Sequence, residues 1–136
     1  MSLINQKIIT FFTCNGNAED MMNFYAENIP DMQIEEIVYF NKGDLHGDEG
    51  KVFKGIMSYA GLKLSFLDIQ SSHPAPAFNW SISLLINCLD EVEFDMIFEN
   101  LTSEGNVIMG PEAIQEMRKC AWLCDKFGMT WQLVWA

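Results

Sequence analysis

The feature that most constrains this chain is a pattern of strand and helix signals that runs twice along its length. In the first pass, Lys7 to Thr13 (KIITFFT) is β-branched and aromatic and reads as a strand. It leads into a turn, Cys14-Asn15-Gly16-Asn17, whose last residue is placed to cap a helix over AEDMMNFYAEN. Glu19 and Asp20 complement the dipole in the first turn of that helix, Met21, Phe24 and Tyr25 recur at helical spacing toward a core, and Pro30 ends it. Gln33 to Phe40 is a second strand, followed by the polar loop NKGDLHGDEG. Val52 to Tyr59 and Leu62 to Ile69 then form a hairpin turning at Ala60-Gly61.

The order repeats beyond the segment QSSHPAPAFN, whose two prolines and lack of periodicity suit an extended crossing. Trp80 to Asn87 reads as a strand, and Asp90 can cap a helix over EVEFDMIFENLTSEG that carries Val92, Met96 and Phe98. Gly105 and Asn106 stop it, Asn106 to Met109 is a short strand, and Gly110-Pro111 marks a loop. Cys120 to Cys124 and Met129 to Trp135 make a closing hairpin that turns near Phe127-Gly128. FKGIMSYAGLKLSFLDI in the first half answers CAWLCDKFGMTWQLVW in the second, with Gly61 and Gly128 in equivalent turns and Phe24 opposite Phe98. Each half alone has a sheet with one apolar face and a single helix to cover it, so two halves together bury more than either does alone. The expected fold class is therefore α+β, with two βαβββ modules and mixed sheets forming a concave cleft. The expected organisation is one domain over residues 1–136, with a first module at about 7–70, a linker at 71–79 and a second module at about 80–136.

Composition supports a packed domain and narrows the partners. The 136 residues are 49% hydrophobic and 12% aromatic, which excludes disorder as a description of the whole chain. Nineteen acidic residues against eight basic ones give a net charge of −11. Such a chain repels phosphate backbones and anionic lipid, so neither nucleic acid nor a membrane surface is an expected partner. MSLINQKIITFF lacks the apolar run and cleavage site of a secretory signal, and its leading Met-Ser-Leu reads as an expression remnant. No uncharged apolar stretch approaches the roughly 18 residues that span a bilayer. The expected location is the cytoplasm, with Cys14, Cys88, Cys120 and Cys124 as reduced core thiols. Cys120 and Cys124, four apart on a strand, share a face but lie roughly 13 Å apart, too far for a disulfide.

Strand alternation nominates a ligand-facing set. Thr10 and Phe12 share a face of the first strand, Ser81 opens the strand that begins the second half, and Gln132 points opposite to Trp131. Trp80 and Trp122 offer flat apolar walls for the same cleft. Asp68 and Asp125 lie at hairpin ends and read as solvated turn formers. His46 sits in the acidic loop DLHGDEG and His73 precedes a proline in the linker, so both read as exposed. No GxSxG, HExxH, Walker A or GxGxxG motif is present, and no glycine loop of the Rossmann type is there to hold S-adenosylmethionine.

ITFFTCNGNAEDMMNFY resembles the opening of vicinal oxygen chelate proteins, a superfamily that includes glyoxalase I, bleomycin-resistance proteins and extradiol dioxygenases. The closer resemblance is to its PhnB-like branch, also labelled 3-demethylubiquinone-9 3-methyltransferase-like. There a strand, an Asn/Gly turn and a helix ending in Phe-Tyr open the chain, GLKLSFLDI closes the first half with an aspartate at Asp68, and Asp-x-Phe-Gly then Trp-Gln-Leu closes the second. The resemblance implies a homodimer with two clefts. It also implies a divalent metal in catalytic members, held by His, Gln and Glu from the first and last strands of each module. Carried over, those positions fall on Thr10, Ser65, Ser81 and Gln132. Three hydroxyls and an amide make a poor first shell for a dication, so no metal and no other cofactor is expected. Many branch members carry a histidine on the third strand, where this chain has Lys54.

The expectation is thus a metal-independent protein that binds a small molecule, aromatic or cationic, through Thr10, Phe12, Ser65, Ser81, Trp122 and Gln132. The alternative is an enzyme of the same superfamily, a lyase, isomerase or dioxygenase, with Lys54 and Asp68 as catalytic candidates. The methyltransferase label finds no support in the residues.

Overall fold

A computed structural model describes residues 6–136; the opening Met-Ser-Leu lies outside the described residues. The chain divides into two compact units, the first ending at Pro76 and the second spanning Ala77–Ala136.

In the first unit, β1 (Thr10–Cys14), α1 (Ala18–Asn28), β2 (Gln33–Tyr39), β3 (Val52–Tyr59) and β4 (Leu62–Asp68) follow in order. Their sheet runs β1-β4-β3-β2, with β1 parallel to β4 and the other pairs antiparallel. Helix α1 packs on β2, β3 and β4. Period-2 alternation turns Phe12, Cys14 and Phe66 to the helix side, where Phe12 stacks on Phe66 with centroids 4.6 Å apart and Tyr25 closes over Phe66 at 6.4 Å. Burying each of these rings contributes about 2 kcal/mol. Gly55, level with Phe66, lets the helix approach, since a Cβ there would lie 2.6 Å from Met22 Sδ. Ala60 and Gly61 both take positive φ (51° and 81°), as a two-residue hairpin with the native strand twist requires.

The second unit repeats this plan with β5 (Ser83–Asn87), α2 (Glu91–Thr102), β6 (Asn106–Ile114), β7 (Met117–Cys124) and β8 (Thr130–Trp135). Its sheet runs β5-β8-β7-β6, and β5 is parallel to β8. Helix α2 packs on β7 and β8, burying Phe94, Ile97 and Leu101; Lys119 of β7 reaches Glu91 and Asp95 of the helix, which marks the helix side of that strand. The buried Ala121, Leu123, Trp131 and Leu133 share that side by alternation. The two βαβββ modules and their mixed sheets are those the repeat predicts.

Three local expectations change. Strand β5 starts at Ser83, so Trp80 and Ser81 belong to the turn before it. Strand β6 continues through Gly110-Pro111, where a loop was expected; it is an edge strand with register shifts, and an edge tolerates a proline that cannot donate to the ladder. Asn17 occupies the N-cap of α1 without a side-chain bond, and Asp68 takes over its role.

Candidate ligand-binding site

The face of each sheet away from its helix is where a ligand can be met. On the second sheet, alternation places Ser83, Leu85, Thr130, Gln132, Cys124 and Trp122 on that face, in cross-strand rows Ser83–Thr130–Cys124 and Leu85–Gln132–Trp122. Gln132 Nε2 donates to Ser83 Oγ at 2.8 Å, tying adjacent rows. The segment before β5 folds beside them, and the Trp80 ring lies 5.8 Å from that of Trp122, tilted by 57°. A groove of about 410 Å³ results, lined by Phe78, Asn79, Trp80, Ile108, Cys124, Gly128 and Thr130, none of them charged. Its size and apolar lining with a few polar atoms suit a small organic ligand.

On the first sheet the corresponding face carries the row Phe11–Ser65–Ile56–Glu36. Lys54 Nζ lies 3.1 Å from Glu36 Oε1, so the lysine is paired on this face. Among the described residues this unit also shows hollows at two places. One of about 380 Å³ is shaped by Tyr39, Phe40, Phe53 and the exposed loop residues Asp44 and Leu45. The other, of about 110 Å³, lies at the start of α1 among Glu19, Asp20, Lys51 and Asp68.

Of the residues nominated from sequence, Trp122 and Gln132 come together as direct cross-strand neighbours beside the groove. Phe12 does not join them: it is 3% exposed under α1, so the shared Thr10/Phe12 face is the helix side of the first sheet. Thr10 is half-buried on that same side, while Ser65 is buried on the other. Ser81 is exposed in the turn ahead of β5, and it is Ser83 that meets Gln132. Sequence reasoning missed Phe78, Asn79 and Ile108, although an aromatic pair at Phe78 and Trp80 closing a polar linker was a signal. Alternation from Gln132 would also have found Thr130.

Asp68 and Asp125 are buried, not solvated. Asp68 Oδ1 accepts from the backbone N–H of Gly16 and Ala18, and Oδ2 accepts from that of Val52, at 2.9–3.0 Å. Asp125 Oδ1 accepts from Phe127 and Met129, and its Oδ2 accepts from Trp131 Nε1 at 2.9 Å. A carboxylate holding three donors at fixed geometry organises its loop and is badly placed to abstract a substrate proton.

The inherited metal positions do not fit a dication. Thr10 is level with Leu64 whereas Ser65 is level with Phe11, so the two hydroxyls point to opposite faces of one sheet. Ser81 stands off the strand, and Gln132 is engaged with Ser83. Among the described residues no group of three or more His, Cys, Asp or Glu side chains could hold an ion. The thiols are no better: burial, reinforced by Asp68, pushes Cys14 up to about 12, and burial with Glu93 pushes Cys88 up to about 11. Burial likewise raises Cys120 and Cys124, so all four cysteines stay protonated at neutral pH.

Paired βαβββ modules with these mixed sheets define the vicinal oxygen chelate, or glyoxalase-like, fold. The chain belongs to the family described as 3-demethylubiquinone-9 3-methyltransferase, which matches residues 6–134. The PhnB protein of Bacillus cereus is 31% identical over 96% of this chain and 100% of its own, with a TM-score of 0.85. Protein PA1353 from Pseudomonas aeruginosa is 19% identical over 94% of this chain and 96% of its own, with a TM-score of 0.83. A glyoxalase/bleomycin resistance protein from Albidiferax ferrireducens shares the fold at 12% identity, 94% and 98% coverage and a TM-score of 0.60. A comparison with curated proteins finds no match. No helix among the described residues is long and apolar enough to cross a membrane.

Proposed function

We propose that this chain is a metal-independent small-molecule-binding protein of the glyoxalase/bleomycin-resistance type, a cytoplasmic homodimer acting as one domain without a cofactor. The observation that carries this reading is the apolar groove of about 410 Å³ beside Trp122 and Gln132. Its uncharged lining favours a flat aromatic ligand over one held by ion pairs; a cation would find only aromatic faces and neutral polar groups there. The donor set at the inherited metal positions supports metal independence, because neither module brings its two positions together. Lys54 is paired with Glu36 and Asp68 is committed to three backbone donors, which speaks for binding over turnover. The family description names a methyltransferase, but the chain offers no glycine-rich loop for the methyl donor.

Native mass spectrometry and a fluorescence titration test the proposal together. The expected result is a dimer mass without bound metal, and quenching of tryptophan emission by fluorene that Trp80→Ala weakens about tenfold. One tightly held transition metal per chain after dialysis would overturn metal independence. A monomer would overturn the dimer, and no response to fluorene would overturn the groove as a ligand site.

A further inference from the structure

Trp122, whose ring lies 5.8 Å from that of the groove-lining Trp80, presents an unusual group. Its indole Nε1–H is buried with no hydrogen-bond partner among the described residues. Trp131, its counterpart on the helix side of β8, donates to Asp125 Oδ2 at 2.9 Å, so the same fold satisfies one buried indole and leaves another open. A buried donor without an acceptor is a standing cost that an incoming acceptor removes. The direct cross-strand neighbour, Gln132, has its amide donating to Ser83. Trp80, whose ring adjoins that of Trp122, is 65% exposed, lines the groove, and stands in a turn where no ladder holds it.

We infer that the groove takes planar aromatic molecules bearing a carbonyl or similar oxygen acceptor, with Trp122 Nε1–H donating to that oxygen and Trp80 shifting to stack on the ring. This deepens the binding reading above and rests on it. A hydrogen bond to an otherwise unpartnered donor corresponds to roughly tenfold in affinity. Fluorenone and fluorene differ by one carbonyl oxygen on a shared planar frame and so isolate that bond. Wild-type protein is expected to bind fluorenone about tenfold more tightly than fluorene, and Trp122→Phe, which keeps a ring but has no N–H, is expected to bring the ratio close to one. The indole N–H resonance of Trp122 should move downfield with fluorenone and not with fluorene, a readout that stands even if the variant folds poorly. Equal affinities in the wild type, or a preference that survives in Trp122→Phe, would overturn the inference and leave the groove intact. Failure of both molecules to bind the wild type would overturn the groove itself.

Discussion

At the scale of single residues, cysteine shows how environment sets chemistry. Cys14 lies under α1 with its Sγ 3.9 Å from Met21 Sδ and the Asp68 carboxylate nearby, so its thiol is held at about 12 against an ordinary 9.0. Cys88 is held at about 11. A raised value in the folded state means that the fold favours the protonated thiol. That contribution is whole below about pH 9 and is lost as pH climbs toward 11 and 12. The urea midpoint should therefore fall between pH 9 and pH 11 while these groups leave it flat from pH 6 to pH 8, and Cys14→Ala should flatten the alkaline limb. An unchanged alkaline slope in that variant would show that another group controls it. The burial of these thiols was legible in the sequence, since their apolar neighbours point that way. The roles of Asp68 and Asp125 were not, because a hairpin-end aspartate looks the same on paper whether it faces water or a ring of N–H groups.

At the scale of elements, the two helices solve their N-terminal problem differently. Helix α2 is capped from its own sequence: Asp90 Oδ1 accepts from Glu93 N, and Glu93 Oε1 accepts from Leu89 N, both at 2.9 Å. Helix α1 borrows its cap from β4, a strand fifty residues away, and the same carboxylate also anchors the start of β3. Asp90→Ala should cost about 1 kcal/mol, as a local cap does. Asp68→Asn should cost more, about 3 kcal/mol, because the new amide group turns a donor toward a buried N–H. Urea unfolding of the two variants checks the ranking, and equal costs would mean that the Asp68 carboxylate is not the organiser of its unit. Element types and most boundaries were readable from periodicity, since strands and helices obey local alternation. The extension of β6 through Gly110-Pro111 was not readable, because only its position at a sheet edge permits it.

At the scale of the whole molecule, net charge remains a physical load. A charge of −11 over 136 residues repels itself in the compact state, and the ion pairs present, such as Lys119 with Glu91 and Asp95, use cations the chain has few of. Raising salt from about 0.02 to about 0.5 M shortens the screening length and should raise Tm by roughly 2–5 °C. A flat or falling Tm would show that the exposed pairs outweigh the repulsion. The groove's lining carries no charged side chain, so ligand affinity there should depend mainly on shape and on single hydrogen bonds.

By itself the sequence determined the doubled βαβββ order, the turn positions and the family, because these rest on local periodicity, on Gly and Pro placement and on short motifs. Only the tertiary structure decided which face of each strand meets a helix. A period of two names a shared face without saying which side it is. That is why Phe12 moved from the ligand set into the core while Trp122 and Gln132 stayed together beside the groove. Which buried polar groups find partners was likewise settled by register between distant strands, which gave Asp68 three donors and left the Trp122 N–H without an acceptor.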